Sequence, residues 1–353
     1  MADLDPARTS TVFPRSGLNL RLVAFTLLVM AAVLVGAAYL VNAALRAAPG
    51  GGSSVAPAGL GYDGPMLMFI HAAGDQDFGK LAFVPADDPS ATRTTSSMHC
   101  ERVHYAAGRG LCLVLELGLV SRYRALAFGP DLQTTAAIDL DGLPSRTRIS
   151  PDGRYGAVTV FVSGHSYASD DFSTRTTIID LDRGVTIGDL ESFTTMRDGT
   201  PWRAQDFNFW GITFTHADSN RFYATLRTGE DIYLVEGDVA AQRLDVVGEA
   251  IECPAISPDD TRLAFKKRQP DGFTWRLSVL DLATGAQTQL AETRDVDDQP
   301  EWLDDDWVMY AAEASVWRAR ADGTGEPELV VKSGLSPTLI SAATISARVP
   351  SAP

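Results

Sequence analysis

Residues 251–290 read IECPAISPDDTRLAFKKRQPDGFTWRLSVLDLATGAQTQL. Four short runs, 251–256, 262–267, 275–281 and 287–290, are rich in aliphatic, β-branched or aromatic residues. They are separated by Ser257-Pro258-Asp259-Asp260, Pro270-Asp271-Gly272 and Ala283-Thr284-Gly285. Runs of this length bounded by Pro, Asp and Gly are strands joined by tight turns. Proline presets φ at the second turn position, and aspartate bonds its own backbone. Four antiparallel strands in succession form one blade of a propeller. Such a sheet has two apolar faces and cannot bury both alone, so it requires copies of itself on either side.

The copies are present. Residues 148–161, RISPDGRYGAVTVF, align with AISPDDTRLAFKKR, and the third-strand pattern TTIIDL at 176–181 recurs as SVLDL at 278–282. A weaker echo is VWRARADGTG at 316–325. Extending the pattern in both directions predicts six blades between residues 65 and 341. The fourth blade is expected at 207–213, 221–226, 232–236 and 243–247. The first blade is one strand short, and residues 337–340 are expected to supply its innermost strand and close the ring. Closure matters because an open ring exposes unpaired backbone edges. The fold class is therefore all-β: a six-bladed β-propeller of four-stranded antiparallel blades, preceded by one N-terminal transmembrane helix.

These motifs resemble a known family. ISPDGRYGAV and ISPDDTRLAF, each followed by a DLATG-type turn, are similar to the TolB-type, WD40-like repeat. RGLCL and STRTTIID also resemble propellers of membrane-anchored bacterial proteins of that type. The resemblance implies an extracytoplasmic six-bladed propeller that serves as a binding platform.

The remainder of the chain concerns its address. Residues 1–21 are short, polar and Pro-containing and are expected to be a disordered cytoplasmic tail. Residues 22–45, LVAFTLLVMAAVLVGAAYLVNAAL, carry no charge. At about 1.5 Å per residue they cross a hydrocarbon core of roughly 30 Å, and they exceed the apolar core of a secretory signal. A retained anchor is expected, although the Ala-rich end leaves cleavage open. Arg15 and Arg21 precede the span and Arg46 closely follows it, a slight bias that favours a cytoplasmic N-terminus. Residues 46–64, rich in Gly, Ser, Pro and Ala, form a flexible stalk. The propeller would then lie outside the membrane, and 342–353 would be a second disordered tail.

The net charge of −15 over 353 residues argues against nucleic acid, whose phosphates require a basic footprint. Cys100 and Cys112 flank a hairpin. If its turn centres near Ala106 the two are directly opposed, within disulfide range. The open alternative is two free buried thiols. Cys253 has no evident partner.

Signatures of catalysis are weak. Gly164-His165-Ser166-Tyr167-Ala168 is one residue short of a nucleophile elbow, but a strand rather than a helix is expected to follow it. The histidines lack metal spacing. Asp295, Asp297 and Asp298, with Asp304, Asp305 and Asp306, lack the glycine-bearing calcium-loop pattern. Neither a metal nor a cofactor is expected. The best binding candidates are residues on innermost strands or the loops leading from them, which surround one mouth of a propeller channel. They are His165, Tyr167, Asp206, Asn208, Trp210, Glu252, Asp297 and Asp298, an acidic, aromatic-edged ring. The expected function is non-catalytic binding of a protein or cell-envelope component. The alternative is an enzyme acting on an envelope glycan through paired carboxylates at the mouth. A purely structural spacer is a third reading.

Overall fold

The computed structural model describes residues 64–340, apart from 119–120 and 163–172, together with Met30. The N-terminal tail, the expected span other than Met30, the stalk up to residue 63 and the C-terminal tail lie outside the described residues. His165 and Tyr167 do too. No helix among the described residues is long and apolar enough to cross a membrane.

The described chain forms six sheets, antiparallel throughout except for one pairing in the fourth. The first contains β1 (Met66–His71), β2 (Lys80–Pro85) and β3 (Thr94–His99). The second runs through β4 (Arg102–Ala106), β5 (Arg109–Glu116), β6 (Arg122–Phe128) and β7 (Thr134–Leu140). The third has β8 (Leu143–Ile149), β9 (Tyr155–Val162), β10 (Ser173–Asp180) and β11 (Val185–Asp189). After a 3-10 turn at Leu190–Ser192, β12 (Thr194–Arg197) and β13 (Thr200–Pro201) precede the fourth blade. Its main strands are β14 (Asn208–Phe214), β15 (Arg221–Thr228), β16 (Asp231–Asp238) and β17 (Arg243–Glu249). The fifth is β18 (Glu252–Ile256), β19 (Arg262–Arg268), β20 (Trp275–Asp281) and β21 (Gln287–Gln289). The sixth is β22 (Glu301–Trp302), β23 (Trp307–Ala312), β24 (Ser315–Arg320) and β25 (Glu328–Val331). The last strand, β26 (Gly334–Ile340), pairs antiparallel with β1, from Met66 opposite Ile340 to His71 opposite Gly334. The two ends of the propeller are thus hydrogen-bonded into one sheet. Arg93 reinforces this seam by donating to the carbonyls of Ser333 and Lys332 at 3.1 and 2.6 Å.

Burial follows the radius of the wheel. Every residue of β1 is buried, whereas the outermost strand β7 alternates between exposed and partly buried and β21 is wholly exposed. Inner strands are covered on both faces by neighbouring blades and read as continuous apolar runs. Outer strands keep one wet face and alternate. Six hydrophobic clusters result, one at each seam. Phe69 of blade 1 packs with Met309 of blade 6, Leu111 of blade 2 with Val158 of blade 3, and Leu234 of blade 4 with Phe265 of blade 5.

The two Ser-Pro-Asp turns have the same wiring. Ser150 Oγ donates to Asp152 and accepts from the Tyr155 amide; Ser257 Oγ donates to Asp259 and accepts from the Arg262 amide. Each turn needs a left-handed residue, supplied by Gly153 in one and Asp260 in the other, at φ 73° and 58°. A non-glycine there is unfavourable. Asp260 offsets this by accepting the His216 and Ala217 amides of blade 4 at 2.8 and 2.7 Å.

Two features depart from expectation. Blade 4 has six strands instead of four: β12 lies parallel to β17 and pairs with β13. Thr194–Arg197 is too short to show a period in the sequence. Beside it, Trp202 packs edge-on to Phe207 and Tyr233. Second, Cys100 and Cys112 do form a disulfide, with Cα atoms 5.4 Å apart, but they are not opposed hairpin residues. The hairpin turns at Ala107-Gly108, so Cys112 faces Val103 and Ala106 faces Arg109. Cys100 precedes β4, and the bridge ties the crossover from blade 1 to the second strand of blade 2.

Candidate functional site: the mouth of the axial channel

The innermost strands of the six blades are β26, β4, β8, β14, β18 and β22. In an extended strand alternate residues share a face, so ionisable residues two apart form tiers along the axis. Arg102 and His104 lie on β4, and Arg146 and Arg148 lie on β8. Gln299 and Glu301 lie on the approach to β22 and on that strand.

The deeper tier closes the channel. Arg148, on blade 3, bonds the carboxylate of Glu301, on blade 6, the blade opposite, through Nη1, and donates through Nη2 to the Pro300 carbonyl at 3.0 Å. His104 Nε2 lies 3.6 Å from Glu301, while its Nδ1 accepts the Ile149 amide at 3.1 Å. Burial pushes the Glu301 carboxyl up, but Arg148 and then His104 outweigh burial and hold it well below its ordinary value. The same burial, joined by the Arg148 charge, drives the His104 imidazole down, so it is neutral at pH 7. A neutral strut lies beside the pair: Gln299 Nε2 donates to the Ile212 and Pro254 carbonyls at 2.8 and 3.0 Å, linking blades 4 and 5.

The outer tier opens to solvent. Arg146 Nη2 reaches the Asp297 carboxylate at 3.4 Å, and Lys266 Nζ donates to the same carboxylate at 2.5 Å. Burial raises the Asp297 carboxyl, but the charge and hydrogen bond of Lys266, with Arg146 and Arg102 behind them, lower it on balance. Arg102 donates to the Ser145 and Glu101 carbonyls at 2.8 and 2.7 Å. Between the tiers is a cleft of about 30 Å³ reached by Arg102, Arg146, Arg148, Asp298, Glu301 and Ser336. That is an order of magnitude below the pockets that bury small-molecule ligands. A larger shallow groove of about 460 Å³ runs along the outer part of blade 5, by Lys267, Pro270, Gln287 and Gln289. It lacks the converging charges of the axis.

The expected site residues separate into two groups. Asp297 and Asp298 join the channel cluster. Asp206 accepts from the Thr228 hydroxyl and Gly229 amide and closes a turn of blade 4. Asn208 accepts the Thr174 amide across the blade 3–blade 4 seam. Trp210 is buried. Glu252 is buried and receives Arg268 and the Trp275 indole within blade 5. The arginines were missed because each is an isolated basic residue in the sequence. The available signal was their spacing: R-V-H at 102–104 and R-T-R at 146–148 place ionisable groups two apart on innermost strands.

No family model and no curated protein matches the sequence. Solved structures do. TolB from Acinetobacter baumannii superposes with a TM-score of 0.56 at 15% identity, covering 78% of this chain and 66% of that one. This is the TolB-type propeller fold. A chain of a nidogen–laminin complex is similar at TM-score 0.50 and 12% identity, over 78% of this chain and 98% of that one. A TolB candidate from Agrobacterium tumefaciens matches at TM-score 0.48 and 11% identity, over 78% of this chain and 92% of that one. This chain spans just under two thirds of the A. baumannii protein. At these identities the TolB-type likeness extends to the fold.

Proposed function

We propose that this TolB-type propeller is a protein-binding platform whose contact surface is the channel mouth, carried outside the cytoplasm by the span at 22–45. The observation that carries the reading is the state of the axis. The channel is crossed by Arg148–Glu301, and the cleft above it is too small for a metabolite or a sugar ring. The carboxyls of Glu301 and Asp297 are held below their ordinary values by neighbouring cations. A partner must therefore be recognised at the rim, on loops presented by a rigid scaffold.

The glycan-cleaving alternative requires a carboxyl held protonated near neutral pH to act as acid. At the mouth Glu301 and Asp297 are displaced the opposite way. The raised carboxyl of Glu191 sits at the blade 3–blade 4 seam, bonded to the Thr176 amide. No observation at the mouth favours hydrolysis.

The test is photo-crosslinking in intact cells from a reactive residue placed at the exposed Glu101 on the rim, with a second at the exposed Phe273 on blade 5 as control. A discrete adduct from the rim site and none from the control supports the platform. Adducts from both, or from neither, overturn it. Protease shaving of intact cells tests the address: the propeller should be degraded, and full protection reverses the proposed orientation.

A further inference from the structure

Deepening the platform reading and resting on it, we propose that Arg102 and Arg146 form a carboxylate seat, which receives the carboxylate of an extended segment of the partner protein. Three observations converge on this. First, the donors outnumber the acceptors built in for them. Among the described residues Arg102 makes no ion pair within 4 Å and spends its hydrogen bonds on two carbonyls. Arg146 shares Asp297 with Lys266, and only at 3.4 Å. The third carboxylate within reach, Asp298, accepts the Ala311 amide. The cleft itself is lined by three guanidiniums, Arg102, Arg146 and Arg148, against two carboxylates, Asp298 and Glu301. Glu301 is matched one to one by Arg148. A cationic surplus at this point stands out in a chain of net charge −15.

Second, buried donors are left over. The Nε groups of Arg146 and Arg148 are buried and have no hydrogen-bond partner among the described residues, although the Arg148 side chain is only 9% exposed. Buried N–H groups are ordinarily paired, and leaving one unpaired is costly. Burial and the neighbouring Arg146 charge also push the Arg102 guanidinium below its ordinary value, and Asp298, Glu101 and Asp297 offset this only in part. A further negative group at the mouth would offset the mutual repulsion of Arg102 and Arg146.

Third, the shape selects the chemistry. A cleft of about 30 Å³ holds the equivalent of one or two waters, which matches the two oxygens of a carboxylate and leaves the rest of the ligand outside. Arginine binds planar carboxylates through parallel N–H donors. The remainder of the ligand would lie across the rim, which is where a protein segment, unlike a free small acid, gains further contacts. A C-terminal carboxylate and an acidic side chain share this chemistry.

The experiment uses the full chain, labelled with 15N at arginine, and three probes: acetyl-Ala-Ala-Ala with a free carboxylate, its C-terminal amide, and acetyl-Ala-Glu-Ala amide. The Nε–H resonances of Arg102 and Arg146 should shift and saturate with a carboxylate-bearing peptide and stay in place with the neutral amide. Response to the first probe alone identifies a chain terminus; response to both carboxylate peptides admits an acidic side chain. Arg102→Gln, which keeps a donor for the Ser145 carbonyl, should weaken binding about tenfold, and Arg102→Lys should weaken it less. Melting temperatures of both variants establish that they fold. Equal shifts with the neutral amide, or unchanged affinity in Arg102→Gln, overturn the seat. In cells, the rim adduct should fall about tenfold in Arg102→Gln. An adduct that persists unchanged while the resonances stay still sinks the seat and leaves the platform standing. No rim adduct in the wild-type chain sinks both.

Discussion

Glu301 and Glu191 are two largely enclosed glutamates in one ring, and their surroundings shift them in opposite directions. Glu301 faces a guanidinium and an imidazole across the channel, and its carboxyl is held low. Glu191, on the 3-10 turn between blades 3 and 4, has backbone amides for company, with Thr176 N at 3.2 and 3.3 Å from its two oxygens. Burial there outweighs the backbone donors and lifts its carboxyl to about 8, with Asp189 adding in the same direction. Peptide dipoles alone do not replace the lost water; a full opposite charge does. The contrast explains why the charged pair sits at the axis. Only there do blades three apart come close enough for a cation of one to meet an anion of the other.

The largest test removes that cation. Arg148→Met leaves Glu301 buried and unpaired and should cost about 3–5 kcal/mol in urea unfolding. Arg148→Met with Glu301→Leu should recover most of the loss, because a buried pair replaced by apolar groups is often neutral. A loss below about 1 kcal/mol for the single variant would mean that the cross-channel pair does not control the state of Glu301.

What the sequence showed and what it concealed divide along the same line. The blades were legible because their determinants are local: a Ser-Pro-Asp turn wires itself within six residues, at Ser150 and again at Ser257. The cysteine pair was legible as a pair but not as a register, since YAAGRG does not show whether the turn centres on Ala106 or between Ala107 and Gly108. The parallel strand β12 was not legible, because Thr194–Arg197 is ordered by contacts with Arg243–Asp245, far along the chain. The channel cluster was the least legible. Arg148 and Glu301 belong to blades half a ring apart, and nothing near either residue indicates the other. The expectation of an acidic mouth rested on the polar residues of innermost strands and the loops leading from them. It omitted Arg102, Arg146 and Arg148, each of which looks like an ordinary strand arginine.

The second test uses pH. The folded-state pKa of Glu191 is raised, so folding takes up a proton. The associated stability is full below the ordinary carboxyl value and is lost as pH climbs through about 8. Because Glu191 keeps partial contact with solvent, a loss of roughly 2 kcal/mol between pH 5 and 8 is expected, well under the full linkage value. Glu191→Gln should flatten that limb. Glu301 and His104 act in the opposite sense. Both are lowered in the folded state, so their contributions are present at neutral pH and are lost on acidification, His104 from below about 6.5 and Glu301 from below about 4.5. Unfolding of wild type and Glu191→Gln across pH 4–9 separates the two limbs. An alkaline limb that survives the substitution assigns it to another group.

The smallest effect isolates connection from charge. Gln299 also bridges strands of different blades at the axis, but its amide is neutral and its two acceptors are the Ile212 and Pro254 carbonyls. Gln299→Leu keeps the side-chain volume and removes both bonds, and it should cost about 1–2 kcal/mol, the scale of ordinary hydrogen bonds. That loss should be the same at pH 5 and pH 8, because no proton is linked to it, whereas the cost of Arg148→Met should shrink on acidification as Glu301 takes up a proton and no longer needs its cation. If the Gln299→Leu loss varies with pH as strongly as the Arg148→Met loss, the strut and the ion pair form one coupled unit, and the contrast between a charged and a neutral link across the ring fails.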